Sequence, residues 1–386
     1  MGLDQTRMIP CQRHLFDIPD HIAYLNCAYM SPLMRSAITA GEEGLARKSR
    51  PWEIRAEDFF NSSEEFRTVA ARMFDATRND IAIIPSASYG ISTAALNLPI
   101  SRGQNILMLD EQFPSNVYPW RRLAHEKQAS IAMVPWPEDG DWTAAVLREL
   151  SDRIAIAALP NVPWTSGGVL DLARISEACR RNGTALALDL TQSLGALPFS
   201  VKQVQPDFAI AANYKWLLGP YSIGVMYVAP KWQQQGRPLE ENWIQRENAR
   251  DFSGLIQYVD GYEPGARRFD MGERSNFTLL PAARAAMEQI LTWGIEEISA
   301  YCGALTKPLA EAAPAVGLTP WPEKFRAPHY LCLRTRTQVP ADLMERLQKG
   351  HIFISVRGSS LRITPHVYNS KAEIEKLLYV MEETLR

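Results

Sequence analysis

Residues 184–192 read Thr-Ala-Leu-Ala-Leu-Asp-Leu-Thr-Gln, and residues 207–215 read Asp-Phe-Ala-Ile-Ala-Ala-Asn-Tyr-Lys. In both stretches a short apolar run ends in polar residues. Such near-continuous apolar runs are typical of parallel strands that are covered on both faces of a sheet. Functional groups in open sheets of this kind lie at the carboxyl ends of the strands. The two stretches therefore predict neighbouring strands whose ends carry a candidate site.

The same alternation of apolar runs and amphipathic segments extends in both directions along the chain. The predicted strands are 81–84, 106–109, 131–134, 154–159, 185–189, 208–212 and 223–228, and the predicted helices among them are 117–125, 142–150 and 172–181. A long helix over 56–74 precedes them. Strands and helices that take turns predict an α/β fold with a mostly parallel seven-stranded sheet and helices on both faces.

The regular alternation of predicted strands and helices ends after Pro230, and the rest of the chain has a different pattern. We expect loops over 231–268, some of them near the site, then a helix over 282–293, short strands at 330–334, 353–356 and 361–364, and an amphipathic helix over 372–385. This pattern predicts a smaller α+β C-terminal domain. The predicted large domain spans 21–279, and the predicted small domain combines 1–20 with 280–386.

Composition narrows the class of protein. The chain has 386 residues with 41 Lys plus Arg against 43 Asp plus Glu, a formal net charge of −2, and no long run of one sign. We therefore expect neither nucleic acid nor an acidic membrane surface as a partner. The five cysteines have no metal-type spacing, and no apolar run approaches the ~18 residues of a membrane helix. With no basic and apolar leader at the N-terminus, we expect a cytoplasmic protein.

Three strand-end residues suit one kind of ligand. Asp189 closes a strand, where its carboxylate could hold the nitrogen of a pyridine ring protonated and so make the ring an electron sink. Gln192 follows three residues later and could donate to a phenolate oxygen on the same ring. Lys215 follows the next strand among aromatic and apolar neighbours, which can lower an amine pKa and so favour imine formation.

A fourth and a fifth element follow earlier strands. Pro85-Ser-Ala-Ser-Tyr-Gly90 precedes a helical segment, and backbone amides at a helix start form an anion site. Phe113, in Glu111-Gln-Phe-Pro-Ser-Asn116, offers a face for stacking, and Asn116 is a further contact in the same turn. Each residue alone also fits a cap, core or surface role. The ordered set of phosphate loop, stacking ring, acid, glutamine and lysine indicates pyridoxal phosphate as the cofactor.

With these motifs the sequence resembles the class V aminotransferase family of fold-type I pyridoxal phosphate enzymes, which includes cysteine desulfurases, selenocysteine lyases, kynureninases and isopenicillin N epimerases. The marks are Tyr24-Leu-Asn-Cys-Ala28, Phe113-Pro-Ser-Asn-Val-Tyr-Pro-Trp120, Asp189-Leu-Thr-Gln192, Tyr214-Lys215 and Leu361-Arg-Ile-Thr-Pro-His-Val-Tyr-Asn369. The resemblance implies a Schiff base at Lys215, Asp189 at the ring nitrogen and Gln192 at the ring oxygen. It also implies that Ser88, the Ala87 amide and Tyr214 hold the phosphate and that Phe113 stacks.

The resemblance further implies a homodimer with active sites at the interface and an arginine that binds the substrate carboxylate. Arg357 matches the desulfurase position and Arg362 the kynureninase position, and we favour Arg357. A guanidinium suits this role because its planar fork binds a carboxylate through two hydrogen bonds. Trp164 and Tyr29 are expected to shape the site for the substrate.

Departures from the family pattern bear on the reaction. Phe113 stands where desulfurases usually place a histidine, and Cys332, the nearest candidate for their loop nucleophile, lies in a predicted strand. A role for Cys27 stays open. The Gly-Thr pair that contacts the partner's phosphate is replaced by Gly272-Glu-Arg-Ser-Asn276, so Arg274, Ser275 or Asn276 takes over or the contact is absent.

We therefore expect an aminotransferase acting on a small amino acid through a Cα carbanion. The alternatives are a carbon–sulfur or carbon–carbon lyase, an epimerase, and, in a different class, a catalytically inactive binding homologue. The last of these would be expected to lack Lys215 or Asp189, and both are present.

Overall fold

The computed structural model describes residues 9–335, 339 and 341–385. The strands are β1 Ala23–Tyr24, β2 Ile81–Ile84, β3 Asn105–Leu109, β4 Ser130–Val134, β5 Ile154–Pro160, β6 Ala185–Asp189, β7 Phe208–Ala212, β8 Gly224–Val228, β9 Thr319–Pro320, β10 Leu331–Arg334, β11 Ile352–Phe353, β12 Ser355–Arg357 and β13 Ser360–Ile363. The α-helices are α1 Arg35–Arg47, α2 Asp58–Phe74, α3 Ala87–Asn97, α4 Tyr118–Lys127, α5 Trp142–Glu149, α6 Leu172–Asn182, α7 Val201–Val204, α8 Pro230–Gln235, α9 Leu279–Trp293, α10 Ile295–Ala312, α11 Ala341–Lys349 and α12 Lys371–Leu385.

A seven-stranded sheet forms the centre of the fold, in the order β2-β8-β7-β6-β5-β3-β4. The pairs β3–β4, β3–β5, β5–β6 and β6–β7 are parallel, whereas β8 is antiparallel to both β7 and β2. The carboxyl ends of the parallel strands therefore meet at one edge of the sheet, where β8 begins. The predicted α/β class and its mostly parallel sheet are confirmed.

Each face of the sheet carries its own apolar cluster because successive side chains of a strand point to opposite faces. On one face Ile84, Met108 and Ile210 pack with residues of α3 and α4, including Trp120. On the other face the alternate strand residues pack with α2, α5 and α6 in the larger cluster. The inner strands are mostly apolar because both of their faces are covered, whereas the edge strand β4 is partly exposed.

The C-terminal part of the chain forms a second sheet, in the antiparallel order β12-β13-β10-β9. Strand β1 pairs in parallel with β11, so Ala23–Tyr24 lies beside Ile352–Phe353. This pairing brings the N-terminal segment to the C-terminal α+β part. We propose that the small domain combines the N-terminal segment with residues after 280, as predicted, and that it includes Ala23–Tyr24, which the prediction of 21–279 placed in the large domain.

The structure differs from the sequence prediction in several segments. Helices α1, α10 and α11 lie where none was predicted, and the predicted strand 353–356 is divided between β11 and β12. The region 231–268 was predicted as loops, but it contains α8 except for its first residue, and otherwise irregular chain with three short 3-10 turns. None of the described residues that line the two cavities of the candidate active site belongs to 231–268, and the expectation that some of these loops lie near the site stays a prediction. In the described part of the chain, no helix has the length and apolarity needed to cross a bilayer.

Two glycines of α1 show how packing against the rest of the chain limits which residues this helix can contain. A Cβ added at Gly44 would meet the carbonyl oxygen of Phe277 at 1.8 Å, so the backbone before α9 lies directly on the helix. A Cβ at Gly41 would lie 3.5 Å from its nearest neighbours, which is ordinary contact. The chain therefore needs glycine at one position and tolerates a larger residue at the other.

We expect Gly44→Ala to destabilise the protein by about 2–3 kcal/mol, because the clash forces α1 and the segment before α9 apart. The matched change Gly41→Ala is expected to be neutral or to stabilise by up to ~1 kcal/mol, since alanine favours a helix over glycine. Urea denaturation of both variants measures the two free energies of unfolding. Equal effects at the two positions would contradict the close approach at Gly44.

Candidate active site

A cavity of about 400 Å³ opens at the sheet edge formed by the carboxyl ends of the parallel strands. Loops that follow β2, β3, β5, β6 and β7, and the segment that leads into β8, contribute its walls. The predicted residues that line it are Ala87, Ser88, Phe113, Asn116, Trp164, Asp189, Gln192, Tyr214 and Lys215. The structure thus brings together residues spread over more than a hundred positions of sequence.

Asp189 stands at the end of β6, and its side chain is almost fully buried, with the residue 8% exposed. Burial raises the pKa of its carboxyl group, while hydrogen bonding from Thr191 and the charge of Lys215 act in the opposite direction. The Thr191 backbone N–H donates to Oδ1 over 3.0 Å and fixes the side chain. A carboxylate in this position gains most from a ligand that brings a positive charge to it.

Gln192 is held by hydrogen bonds at both ends of its amide. Its Oε1 accepts from Trp216 Nε1 over 3.0 Å, and its Nε2 donates to the Ala28 carbonyl over 3.3 Å. These contacts fix the orientation of the amide, and one N–H of Nε2 stays available to a ligand in the cavity.

Lys215 lies in the turn after β7 and is 5% exposed. Its Nζ lies 5.3 Å from the ring centroid of Phe113 and 5.4 Å from that of Tyr214. Burial lowers the pKa of the amine to about 8; Asp189 opposes this shift, and the positive charges of Arg362 and Arg357 add to it. At this pKa roughly a tenth of the amine is unprotonated at pH 7, and this is the form that attacks a carbonyl carbon.

The start of α3 forms the wall of the cavity after β2. Ser86 is the N-cap, and its Oγ accepts from the Tyr89 backbone N–H over 3.2 Å. The hydroxyls of Ser86 and Ser88 lie 2.9 Å apart, beside the first amides of the helix. Backbone N–H groups, hydroxyls and the positive end of the helix dipole together suit a phosphate group. Ser86, which lies in the predicted anion-binding segment but was given no role of its own, belongs to this wall.

Phe113 and Asn116 line the side of the cavity that follows β3. The Phe113 ring meets Trp164 edge to face, with centroids 5.3 Å apart. Asn116 is 1% exposed; its Oδ1 accepts from Trp120 Nε1 over 2.8 Å, but within the described part of the chain its buried Nδ2 has no partner. An orphaned donor at a cavity wall fits a site that a polar ligand completes.

A second cavity of about 340 Å³ adjoins the first and shares Phe113, Trp164, Gln192, Tyr214, Lys215 and Tyr221 with it. Arg357 and Arg362 line this second cavity together with Tyr29 and Met30. Their guanidinium carbons lie 5.9 and 5.6 Å from the Trp164 ring centroid. The arginines of the small sheet and the lysine that follows β7 therefore face connected space.

None of the cysteines lines either cavity. Cys332 lies within β10, buried, and burial raises its pKa to about 12. Cys27 lies beneath the lysine turn, with its Sγ 3.7 Å from the Lys215 carbonyl, and burial raises its pKa well above the usual range. A thiol that holds its proton so firmly is a poor nucleophile. Both cysteines are packing residues in this arrangement.

The side chains of segment 272–276 form contacts with other residues of the same chain. Arg274 is buried and forms an ion pair with Asp270 at 2.5 Å, and Ser275 Oγ donates to the Phe59 carbonyl. Asn276 Oδ1 accepts from the backbone N–H groups of Thr278 and Leu279 at the start of α9. The three side chains considered for a partner's phosphate thus have internal partners.

Sequence reasoning missed several lining residues, which are Ser86, Thr191, Tyr221, Ser222 and Met30. Thr191 could have been identified from the sequence, because it lies two residues after the strand-end Asp189. Tyr221 and Ser222 lie before β8, and they reach the site only because β8 runs antiparallel and begins at this edge. An apolar run in the sequence does not show whether its strand runs parallel or antiparallel to its neighbours.

A family model described as aminotransferase class-V matches residues 42–377. An uncharacterized aminotransferase of Bacillus subtilis is 25% identical over 94% of this chain and 94% of its own length. A kynureninase of Deinococcus radiodurans is 26% identical over 89% of this chain and 86% of its own. The solved apo structure of a cysteine desulfurase from Thermococcus onnurineus superposes with a TM-score of 0.85 at 20% identity and covers 97% of both chains, which establishes the common fold.

Proposed function

Since the chain belongs to the class V aminotransferase family of pyridoxal phosphate enzymes, we propose that it transfers the amino group of a small amino acid. Lys215 is the residue that binds the cofactor through its amine, and the same amine then moves the proton at the substrate Cα. The observation that carries this proposal is the buried Lys215 amine, with its pKa lowered to about 8, facing a cavity that no cysteine or histidine lines among the described residues.

The residues around the cavity fit the cofactor. When bound, pyridoxal phosphate supplies an aldehyde that condenses with amines and a protonated ring that takes up the electron pair left on Cα. Asp189 would hold the ring nitrogen, and Gln192 and the orphaned Asn116 amide would donate to the ring oxygen. The start of α3, with Ser86, Ala87 and Ser88, and Tyr214 would hold the phosphate, while Phe113 would stack on the ring.

The chain's own groups then have defined tasks. The buried Asp189 carboxylate keeps a positive charge at the ring nitrogen, and an arginine of the second cavity holds the substrate carboxylate. In its unprotonated form, which the lowered pKa makes more accessible, the Lys215 amine takes the Cα proton onto Nζ. Phe113, Trp164 and Tyr214 line the cavity with aromatic rings.

Amino-group transfer needs only this one proton-transfer group, which favours it over abstraction of sulfur. Attack on sulfur needs a thiolate, and Cys332 and Cys27 are buried with raised pKa values outside both cavities. An epimerase or a carbon–carbon lyase would use the same lysine and aspartate. The products distinguish these reactions.

The test is a single-turnover assay of the cofactor-loaded protein with a panel of L- and D-amino acids. Transfer yields one keto acid per subunit and leaves the cofactor in its amine form, without release of ammonia or sulfide. Release of sulfide or alanine would assign a lyase, and exchange of Cα hydrogen with inversion would assign an epimerase. Either result would overturn the proposed transfer.

The lowered pKa of Lys215 predicts how cofactor attachment depends on pH. Below about 8 the amine is mostly protonated, so the rate of attachment to the apoprotein is expected to rise about tenfold per pH unit and to level off above pH 8. Borohydride trapping at timed intervals measures this rate. A rate that continues to rise up to the ordinary lysine pKa near 10.5 would show that burial does not shift the amine.

We also propose a homodimer with the active sites at its interface, in the cytoplasm. Support comes from Tyr29 and Tyr221, which are 55% and 61% exposed at the mouth of the second cavity, and from the five cysteines, none of which forms a disulfide. Sedimentation analysis is expected to give twice the chain mass of 43.4 kDa. A mass of one chain at micromolar concentration would contradict the dimer.

A further inference from the structure

Arg357 and Arg362, which were predicted as alternatives for one role, both line the second cavity beside Lys215. We propose that the substrate carries two anionic groups, so that it is an amino acid with an acidic side chain, of the dicarboxylic class. One arginine binds the α-carboxylate and the other binds the side-chain acid. This inference rests on the proposed function and names the substrate class of that site.

The hairpin of β12 and β13 delivers both side chains to one face. Ser355 pairs with Arg362, and Arg357 pairs with Ser360. Residues directly opposite each other in a pair share a face, as do residues two apart along a strand, so Ser355, Arg357 and Arg362 all lie on the same face. The two arginines are therefore diagonal neighbours, and both guanidinium groups lie within 6 Å of the Trp164 ring centroid.

Arg362 is fixed in place by neutral groups. The residue is 2% exposed, its Nε donates to Ser355 Oγ over 2.9 Å, and its Nη1 donates to Tyr330 OH over 3.2 Å. Arg357 is only partly buried, and its Nη1 donates to the Val356 carbonyl over 2.7 Å. Among the described residues, no carboxylate lies within salt-bridge distance of either guanidinium.

Elsewhere this chain pairs its buried arginines with acids. Arg67 and Arg274 share Asp270, and Arg267 contacts Glu64. A buried guanidinium without an anion is costly, and two close to a lysine also repel one another. Burial lowers the pKa of both Arg357 and Lys215; the charge of Arg362 adds to the shift of Arg357, and both arginines add to that of Lys215, as expected for cations that face one space.

Within the described lining of the second cavity, the charged side chains are Lys215, Arg357 and Arg362, all cationic. Asp189, in the first cavity, is the nearby acid that acts on Lys215, and in the proposed function it is committed to the ring nitrogen. The cofactor phosphate is assigned to the start of α3. Two guanidinium groups are thus left for the substrate, whereas a monocarboxylic amino acid neutralises only one of them.

The test compares two unreactive acids of equal chain length, glutarate with two carboxylates and pentanoate with one, for binding to the cofactor-loaded protein. Trp164 touches both arginines, so tryptophan fluorescence or calorimetry reports the binding. Glutarate is expected to bind at least about tenfold more tightly than pentanoate, because the second charge-assisted contact contributes only to the diacid. Equal affinities would overturn the proposal without any variant being needed.

Variants then assign the two contacts. Arg357→Gln and Arg362→Gln are each expected to weaken glutarate binding about tenfold or more, while only one of the two weakens pentanoate binding. Arg334→Gln removes an exposed arginine of the neighbouring strand β10, which lines neither cavity, and is expected to change neither affinity. If one arginine governs both ligands and the other governs neither, the second anion site does not exist.

The visible absorbance of bound cofactor, recorded in the same samples, separates this inference from the proposed function. Loss of that band in the wild-type protein would count against the role of Lys215. An intact band with glutarate no better than pentanoate would count only against the dianionic substrate. Arg357→Gln, at a partly exposed position, keeps the comparison informative should Arg362→Gln fail to fold.

Discussion

Lys215→Ala is expected to lower turnover by about 10³-fold or more, because the variant loses both the covalent attachment point of the cofactor and the group that moves the Cα proton. The amine lies between the rings of Phe113 and Tyr214, and no other lysine lines either cavity among the described residues. Single-turnover formation of keto acid, normalised to bound cofactor, is the measurement.

A matched lysine provides the control. Lys202 is exposed and pairs with Asp75 on the surface, so Lys202→Ala should keep full turnover and an unchanged cofactor band. Circular dichroism should show that both variants are folded. A folded Lys215→Ala protein with near wild-type turnover would remove Lys215 from the mechanism.

Asp189→Asn is expected to lower turnover by about 10²–10³-fold while the cofactor stays bound. A neutral amide cannot hold a positive charge at the ring nitrogen, so the ring becomes a weaker electron sink. The substitution is nearly isosteric and keeps the oxygen that can accept from Thr191, so the fold should persist. Turnover is measured as above, and the absorbance spectrum reports the protonation of the bound cofactor.

Asp207 is a fitting control because it is equally buried but lies at the opposite edge of the sheet. Its carboxylate accepts from the Leu186 backbone N–H and from Trp232 Nε1. Asp207→Asn should lower stability and leave turnover per bound cofactor unchanged. If the two substitutions affect turnover equally, the effect of Asp189 is structural and its proposed role fails.

The central strands could be predicted from sequence because their signal is local. A strand covered on both faces is apolar at nearly every position, and the predicted bounds of β2, β6 and β7 agree with the structure. Helix α1 has no comparable signal, because Gly41 and Gly44 disfavour a helix and the reason for Gly44 is the distant Phe277 backbone. Pro308, inside α10, similarly obscures a helix whose buried residues recur at helical spacing.

The candidate site likewise contains residues that a local sequence signal identifies and residues that only the assembled fold brings in. Asp189, Gln192 and Lys215 follow strands in sequence, so the rule that parallel strands end at one edge brings them together. Met30 and Tyr221 enter from an N-terminal segment and from the start of an antiparallel strand, which only the assembled fold reveals. The arginines illustrate a further limit, since treating Arg357 and Arg362 as alternatives assumed one carboxylate, whereas the hairpin places both at one cavity.

The most direct test of the central claim is borohydride reduction of the cofactor-loaded protein, followed by proteolysis and mass spectrometry of the labelled peptide. The claim predicts that the visible absorbance band disappears on reduction and that the cofactor is fixed on the peptide that contains Lys215. A label on another lysine, or a protein that acquires neither band nor label with excess pyridoxal phosphate, would contradict it.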